Sequence, residues 1–359
     1  MTALFKKLQK KKHASASKIG ILVVGIAACG LTLEIGLRMI LGLGSPVLFE
    51  FDSNFGAYPK SNQHLHRFFV RINTNQYGMR SPPVASVKED GDYRILFVGD
   101  SVPFGTTYVD QADIFVERMG GQLRINGKTR AIVMNGSSPG WAPSNELGFL
   151  KTRGLYAADM VVLVYNTKDL TQSFSQYQES PIMPLENPPS AIGELWQRYL
   201  MPRIVSARAV VDPGSTSADG RPVAASEKVM ETIEATRRLV ESHGARFVIL
   251  FLPIVTEDVR RYQSDWDQAI ANLRRWAVGR GVPILDMSAV MSARDPAAIY
   301  FDGVHLRPAG DKLVADAFIK WFNAEPLVAA REPTRPGPIT SADARLHSLG
   351  ISAARDQIN

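Results

Sequence analysis

The strand-like run RILFVG leads into Gly99-Asp100-Ser101, and this serine is the first residue whose placement offers chemistry. A serine where a strand turns into a helix can expose its Oγ, while its own N–H, at the helix start, faces developing negative charge. The same placement suits an ordinary helix N-cap, so the tripeptide alone leaves both roles open. A second cluster changes the balance. Asp302-Gly303-Val304-His305 lies near the other end, before the helical stretch DKLVADAFIKWF that begins at Asp311. A carboxylate three residues ahead of an imidazole can hold one ring nitrogen and fix the tautomer, leaving the other nitrogen as a general base. Ser101, His305 and Asp302 are therefore candidates for nucleophile, base and orienting acid in an acyl transfer through a covalent intermediate.

Such a set needs a scaffold that brings residues two hundred positions apart together. From Tyr93, short apolar runs alternate with helical stretches: YRILFVG, AIVMNG, MVVLVYN, RFVILFLP and VPILDM read as strands. The segments EKVMETIEATRRLVESHG and QSDWDQAIANLRRWAVGRG read as helices before the last two. This order predicts βαβ units, and strands nearly continuous in Val, Ile and Leu predict helices on both faces. The expected fold is α/β, a three-layer α/β/α sandwich with a mainly parallel five-stranded sheet over residues 93–325, preceded by one transmembrane helix. Ligands collect at the carboxyl ends of parallel strands, where Ser101 falls. Residues 45–92 read as a link with a short β region. Proline-rich residues 171–225 read as an insertion, either capping the site or running over the surface, and 326–359 as a disordered tail.

The block GDS early and DGVHLRPAG late resemble the first and last motif blocks of the GDSL/SGNH hydrolase family, over roughly residues 93–323. AIVMNGSSPGWAPS resembles the second block, with Gly140 in the place of a glycine whose N–H is a second oxyanion donor, so that a side chain there would block the substrate carbonyl. The third block departs. The family pattern has Asn directly before Asp, whereas this chain reads Tyr165-Asn166-Thr167-Lys168-Asp169. Lys168 stands in the asparagine's place and Asn166 two residues earlier; in extended geometry both would point to one side. Either could donate, and position favours Lys168.

The resemblance implies a serine esterase whose oxyanion hole combines Ser101 and Gly140 with Lys168 or Asn166, and which needs no cofactor. For anchored bacterial members it implies O-acyl, chiefly O-acetyl, esters of polysaccharide, so the expected partner is an acylated carbohydrate or small ester. Two alternatives share the fold. A polysaccharide O-acetyltransferase would need an envelope partner to supply acyl groups, and a catalytically inactive envelope protein would only bind glycan.

Charge and hydropathy place the chain. Its net charge of +6 comes from Lys6, Lys7, Lys10, Lys11, Lys12 and Lys18; the remaining 35 Lys and Arg balance the 35 Asp and Glu. Cations gathered at one end rather than spread over a face argue against nucleic-acid binding. They precede the apolar run Ile19 to Gly44, interrupted only by Glu34 and Arg38, which can pair or snorkel. The expectation is a basic cytoplasmic tail (1–18), a signal-anchor (19–44) in the cytoplasmic membrane and a catalytic domain beyond it, in the periplasm. IAAC at Ile26–Cys29 resembles a permissive lipobox, and a cleaved signal is the other alternative.

The single cysteine, Cys29, excludes an internal disulfide and cysteine-based metal cages. His64 and His66 alternate as a metal-capable pair without a convincing third ligand, so no metal is expected. Asp286 reads as a cap for the next helix, and Trp141 as either packing or a pocket wall. Gly99 and Gly105 lack the Gly-Lys-Ser/Thr of a phosphate loop.

Overall fold

The computed structural model describes residues 2–125, 129–172, 174, 183–202 and 227–324. The expected tail at 326–359 and much of the insertion at 171–225 lie outside the described residues. Helix α1 (Thr2–Leu41) joins the basic segment and the apolar run without a break and ends three residues before Gly44, so tail and span are one element rather than two. Its portion Lys18–Leu41, 24 residues, is long and apolar enough to cross a membrane, and most of its large side chains are exposed.

Residues 45–92 hold the short β region expected of them, packed on the domain rather than leading loosely into it. They form two antiparallel hairpins, β1 (Phe49–Asp52) with β2 (Gly56–Pro59) and β3 (His64–Arg67) with β4 (Val70–Asn73). Both belong to the domain. The Ala57 carbonyl between β1 and the sheet accepts from Ser138 Oγ and Trp141 Nε1, each at 2.8 Å, and Asn145 Nδ2 donates to Phe55 O at 3.2 Å. Trp141 is thereby a packing residue, stacked on Tyr58 at 5.6 Å and buried among Phe55 and Phe149. His64 and His66 lie on the exposed side of β3, with His64 Nδ1 3.3 Å from Asn73 Oδ1.

The main sheet is built from β5 (Arg94–Gly99), β8 (Ile132–Asn135), β9 (Met160–Asn166), β10 (Arg246–Leu252) and β11 (Ile284–Asp286), with a small ribbon of β6 (Arg124–Ile125) and β7 (Thr129–Arg130) beside it. All pairings in the five-stranded sheet are parallel, in the order β11-β10-β9-β5-β8. Successive side chains alternate between faces. Leu96, Val98, Val161, Leu163, Ile249 and Phe251 join one core, which also holds residues of α4 (Pro143–Arg153), α6 (Glu227–Ser242) and α7 (Gln263–Arg280). Ile95, Phe97, Val162, Val164, Val248 and Leu250 join the other, with α3 (Phe115–Gln122) and α8 (Pro308–Ala324). This double burial explains why the strands carry no polar alternation. The sheet is the parallel five-stranded one expected, and the stretch after β5 holds two short helices, α2 (Ser101–Phe104) and α3.

One buried cation ties the hairpin region to the loop after α2. Arg80 is fully buried, and its guanidinium donates to the carbonyls of Phe104, Gly105, Thr106 and Val109 at 2.7–3.0 Å and to Gln111 Oε1 at 3.2 Å. Burial pulls its pKa down to about 10, offset in part by the charges of Asp311, Glu117 and Asp110, so it stays cationic at neutral pH. Deleting it would take a donor from four carbonyls, of which Thr106 O keeps the Val109 N–H at 3.3 Å, and each one orphaned costs about 1–3 kcal/mol. Arg80→Leu is expected to lower the unfolding free energy by about 3 kcal/mol or more, read as a shifted denaturation midpoint in detergent.

Candidate active site

Strand β5 lies between β8 and β9, so the loops leaving the carboxyl ends of these three strands meet. In register Gly99 sits opposite Val164, which brings Asp100, directly before Ser101, against Asn166 at the end of β9. Gly99 permits this closeness: a Cβ there would lie 2.7 Å from Pro103 Cγ and 2.8 Å from the Val164 carbonyl. Ser101 then opens α2. Its neighbour Asp100 caps the helix by accepting the Val102 N–H at 2.8 Å, which leaves the Ser101 side chain free to face outward. Asn135, ending β8, donates from Nδ2 to Pro103 O at 2.6 Å and holds the helix from the other side.

The loop carrying Asp302 and His305 is closed by its own hydrogen bonds. Phe301 N–H donates to His305 O at 2.8 Å, and Val255 N–H donates to Gly303 O at 2.8 Å. One oxygen of Asp302 accepts the N–H groups of Val304 and His305 at 3.0 and 2.8 Å; the other accepts from His305 Nδ1 at 2.7 Å. With Nδ1–H committed to the carboxylate, Nε2 is the free acceptor, and it stands 3.0 Å from Ser101 Oγ. The structure brings Ser101, His305 and Asp302 into one line of hydrogen bonds. This geometry can remove a proton from the hydroxyl as its oxygen attacks an electrophilic carbon.

Electrostatics support that direction. Burial works to lower the His305 pKa, but the hydrogen bond and charge of Asp302, joined by the charge of Asp100, outweigh it and raise it above its ordinary 6.5. Burial also works against ionised Asp302, yet its three donors hold the carboxyl well below the usual carboxylate range. Asp100 is pushed up to about 6 by burial, against the opposing pull of the Val102 N–H, the His305 charge and Asn166.

The two residues of the departed third block part company. Strand β9 ends at Asn166, and Lys168–Leu170 is a 3₁₀ turn, so the extended geometry that would point Asn166 and Lys168 to one side does not persist. Asn166 is buried; its Nδ2 donates to Asp100 Oδ2 at 2.9 Å, and its Oδ1 accepts the Lys168 N–H at 2.7 Å. The Lys168 ammonium instead pairs with Asp258 at 3.1 Å, with both side chains nearly half exposed. Asp169 turns inward and accepts the Asn166 N–H at 2.7 Å.

Gly140 has φ +76°, a region that favours glycine, and a Cβ there would have only Met183 Cε within 4 Å, at 3.7 Å. Met183 belongs to the described part of the insertion. The same segment runs along the first hairpin, where Phe49 N–H donates to Pro184 O and Lys60 Nζ to Leu185 O. Residues 183–185 therefore lie beside Gly140. A cavity of about 310 Å3 opens at Asp302, lined also by Thr256, Arg260, Tyr300 and Phe301; Ser101 does not line it. Asp286 accepts the Ser288 N–H at 2.8 Å, as expected of a cap, and also pairs with Arg274.

Several residues around the site have roles that the sequence does not announce. Glu146 on α4 and Asp169 are fully buried and pushed well above the carboxylate range by burial and by neighbouring acids. Arg80 reads in sequence only as part of a turn. Asp100 lies inside the GDS block, and its cap-and-amide role appears only when Asn166 is brought beside it.

No family model and no curated protein matches the sequence. Among solved structures, the chain is similar to a lipolytic protein of the G-D-S-L family from Veillonella parvula, at 13% identity and TM-score 0.42, over 65% of this chain and 100% of that one. It is similar to a lipase/acylhydrolase from Enterococcus faecalis, at 13% identity and TM-score 0.41, over 68% and 100% of the two chains. A catalytic mutant of Axe2, an acetylxylan esterase from Geobacillus stearothermophilus, overlaps 70% of this chain and 99% of its own, at 15% identity and TM-score 0.43.

The hydrogen bond from His305 to Asp302 has a measurable consequence. In a histidine NMR titration of the full-length protein, the His305 imidazole is expected to deprotonate above 6.5, and Asp302→Asn is expected to move that transition to lower pH. An unchanged transition would mean that the carboxylate does not govern the ring.

Proposed function

We propose that this chain is a membrane-anchored serine esterase of the GDSL/SGNH type that hydrolyses O-acyl, chiefly O-acetyl, esters of polysaccharide outside the cytoplasm. The observation that carries the reading is the unbroken contact Ser101 Oγ–His305 Nε2 (3.0 Å) and His305 Nδ1–Asp302 Oδ2 (2.7 Å), at the carboxyl end of a parallel sheet. His305 takes the serine proton as Oγ attacks the ester carbonyl, and the imidazolium is stabilised by Asp302. The tetrahedral oxyanion is held by the N–H groups of Ser101 and Gly140, with a third donor from Asn166 or Lys168. His305 then protonates the departing alcohol, and water repeats the sequence on the acyl-serine.

For the third donor, Asn166 is supported by its contact with Asp100, directly behind the nucleophile, while Lys168 is drawn toward Asp258. Lysines ahead of the apolar stretch of α1 favour a cytoplasmic N-terminus and place the domain across the membrane.

The test is hydrolysis of p-nitrophenyl acetate and of acetylated polysaccharide by the full-length protein in detergent. Ser101→Ala and His305→Ala are expected to lower kcat by about 10³-fold or more, with loss of labelling by a serine-directed phosphonate for the first. Asn166→Ala is expected to cost about 10²–10³-fold, and Lys168→Ala less than about tenfold; the reverse order would make the lysine the donor. Because the neutral imidazole is the base, kcat/KM should rise with pH through the elevated His305 value. No turnover and no phosphonate labelling in a folded protein would overturn the esterase reading.

A further inference from the structure

The last turns of α1 do not end in solvent. At 1.5 Å per residue, Lys18–Leu41 measures about 36 Å against a hydrocarbon core of about 30 Å, and Glu34 lies about 10 Å before its end. A lone carboxylate at that depth is expensive. Here Glu34 pairs with Arg38 at 2.7 Å and also accepts the N–H groups of Ala191 and Ile192 at 2.8 and 3.0 Å. The helical segment 191–202, which opens with α5 (Ala191–Glu194) and continues through a π-helical stretch (Leu195–Leu200), therefore starts at the depth of Glu34 rather than above the membrane.

Its attachment is firm. Ala191, Leu195 and Tyr199 form a stripe that packs with Leu37, Leu43 and Phe68. Glu194 is buried against Arg67 at 2.5 Å, and Arg67 Nη1 donates to Gly42 O at 2.7 Å. The adjacent stripe, Ile192, Trp196 and Leu200, is exposed among the described residues, Trp196 at 49%. Beside it stands the tip of the β3–β4 hairpin. Phe68 and Phe69 both have φ in the left-handed region, +46° and +67°, a conformation costly for bulky side chains. The Phe68 N–H donates to Leu41 O, the last residue of α1, and the Phe68 ring packs on Tyr199 at 5.3 Å, which leaves Phe69 70% exposed.

We propose that the 191–202 helix and the Phe69 tip are an interfacial seat that rests in the headgroup layer of the bilayer crossed by α1; this rests on the anchor reading. Twelve helical residues are too few to span, but an apolar stripe with a central tryptophan suits a helix lying in the interface. The seat is continuous with the outward face of α1, where Met39 and Ile40 are exposed at the same end. A file of rings then leads to the catalytic loop, Phe68 to Tyr108 at 6.2 Å and Tyr108 to Phe301 at 6.4 Å, next to Asp302. The seat thus sets the height of Ser101 above the membrane.

The experiment attaches a nitroxide to full-length protein in phosphatidylcholine–phosphatidylglycerol nanodiscs and compares relaxation by oxygen and by a nickel chelate. Labels go on native Cys29 and, in a Cys29→Ser background, on Trp196→Cys, Leu200→Cys, Phe69→Cys and Val278→Cys, the last an exposed apolar position on α7. The oxygen-to-nickel ratio at 196, 200 and 69 is expected to exceed that at 278 by at least about threefold, with Cys29 higher still. Leu200→Cys carries the test if Trp196→Cys fails to fold. A deep Cys29 with ratios at 196, 200 and 69 equal to that at 278 overturns the seat while the anchor stands. Labels shielded from both agents would mean that protein, not lipid, covers the face, and would also overturn it. A Cys29 that is blocked or water-exposed overturns the anchor reading itself.

Discussion

The in-register parallel pairing of β5 with β9, brought close by the bare Cα of Gly99, is the constraint on which the site depends. It sets the end of β5 beside the end of β9, so that Asp100 meets Asn166 and Ser101 emerges at the sheet's edge of solvent. β8 closes the other side through Asn135 and Pro103. Only then does the loop after β11 find a serine to face. A side chain at 99 would strike a backbone carbonyl and a proline ring within a packed core, where neither has room to move.

Polar groups buried in this scaffold divide by whether they are paired. Arg80 spends its donors on carbonyls of a single loop and so converts a costly buried charge into a clamp. Glu146 and Asp169 sit behind the site, where burial keeps their carboxyls toward the neutral form. Asp302 is the reverse case, a carboxylate kept ionised by two N–H groups and an imidazole. The contrast leaves the most firmly held negative charge on Asp302, the acid hydrogen-bonded to His305.

The apolar helix and the domain are joined by a similar logic. Glu34, Arg38, Arg67 and Glu194 neutralise one another and cap exposed backbone groups where α1 meets the segment 191–202. The two charges in the apolar run are therefore not blemishes in a span. They are part of the fastening by which the helix holds the domain.

Legibility followed the range of the interaction. Strand composition announced the parallel three-layer sheet, because double burial removes polar alternation from a strand. The order of the motif blocks pointed to Ser101, Asp302 and His305, since a local Asp-to-His spacing and a strand-end serine are properties of short segments. What residues 45–92 do was hidden: their hairpins have ordinary turn signals, and their role comes from Ala57 and Arg80 reaching residues far along the chain. The positions of Asn166 and Lys168 were hidden for the same reason, because whether β9 continues or turns after 166 is settled by Asp169 binding the Asn166 N–H and by Asp258 drawing the lysine away. The amino-acid sequence by itself determined the elements, the apolar N-terminal helix and the residue types at the site. Tertiary structure alone decided where Asn166 and Lys168 point and how the helix is fastened to the domain, because those depend on contacts between segments that no local pattern encodes.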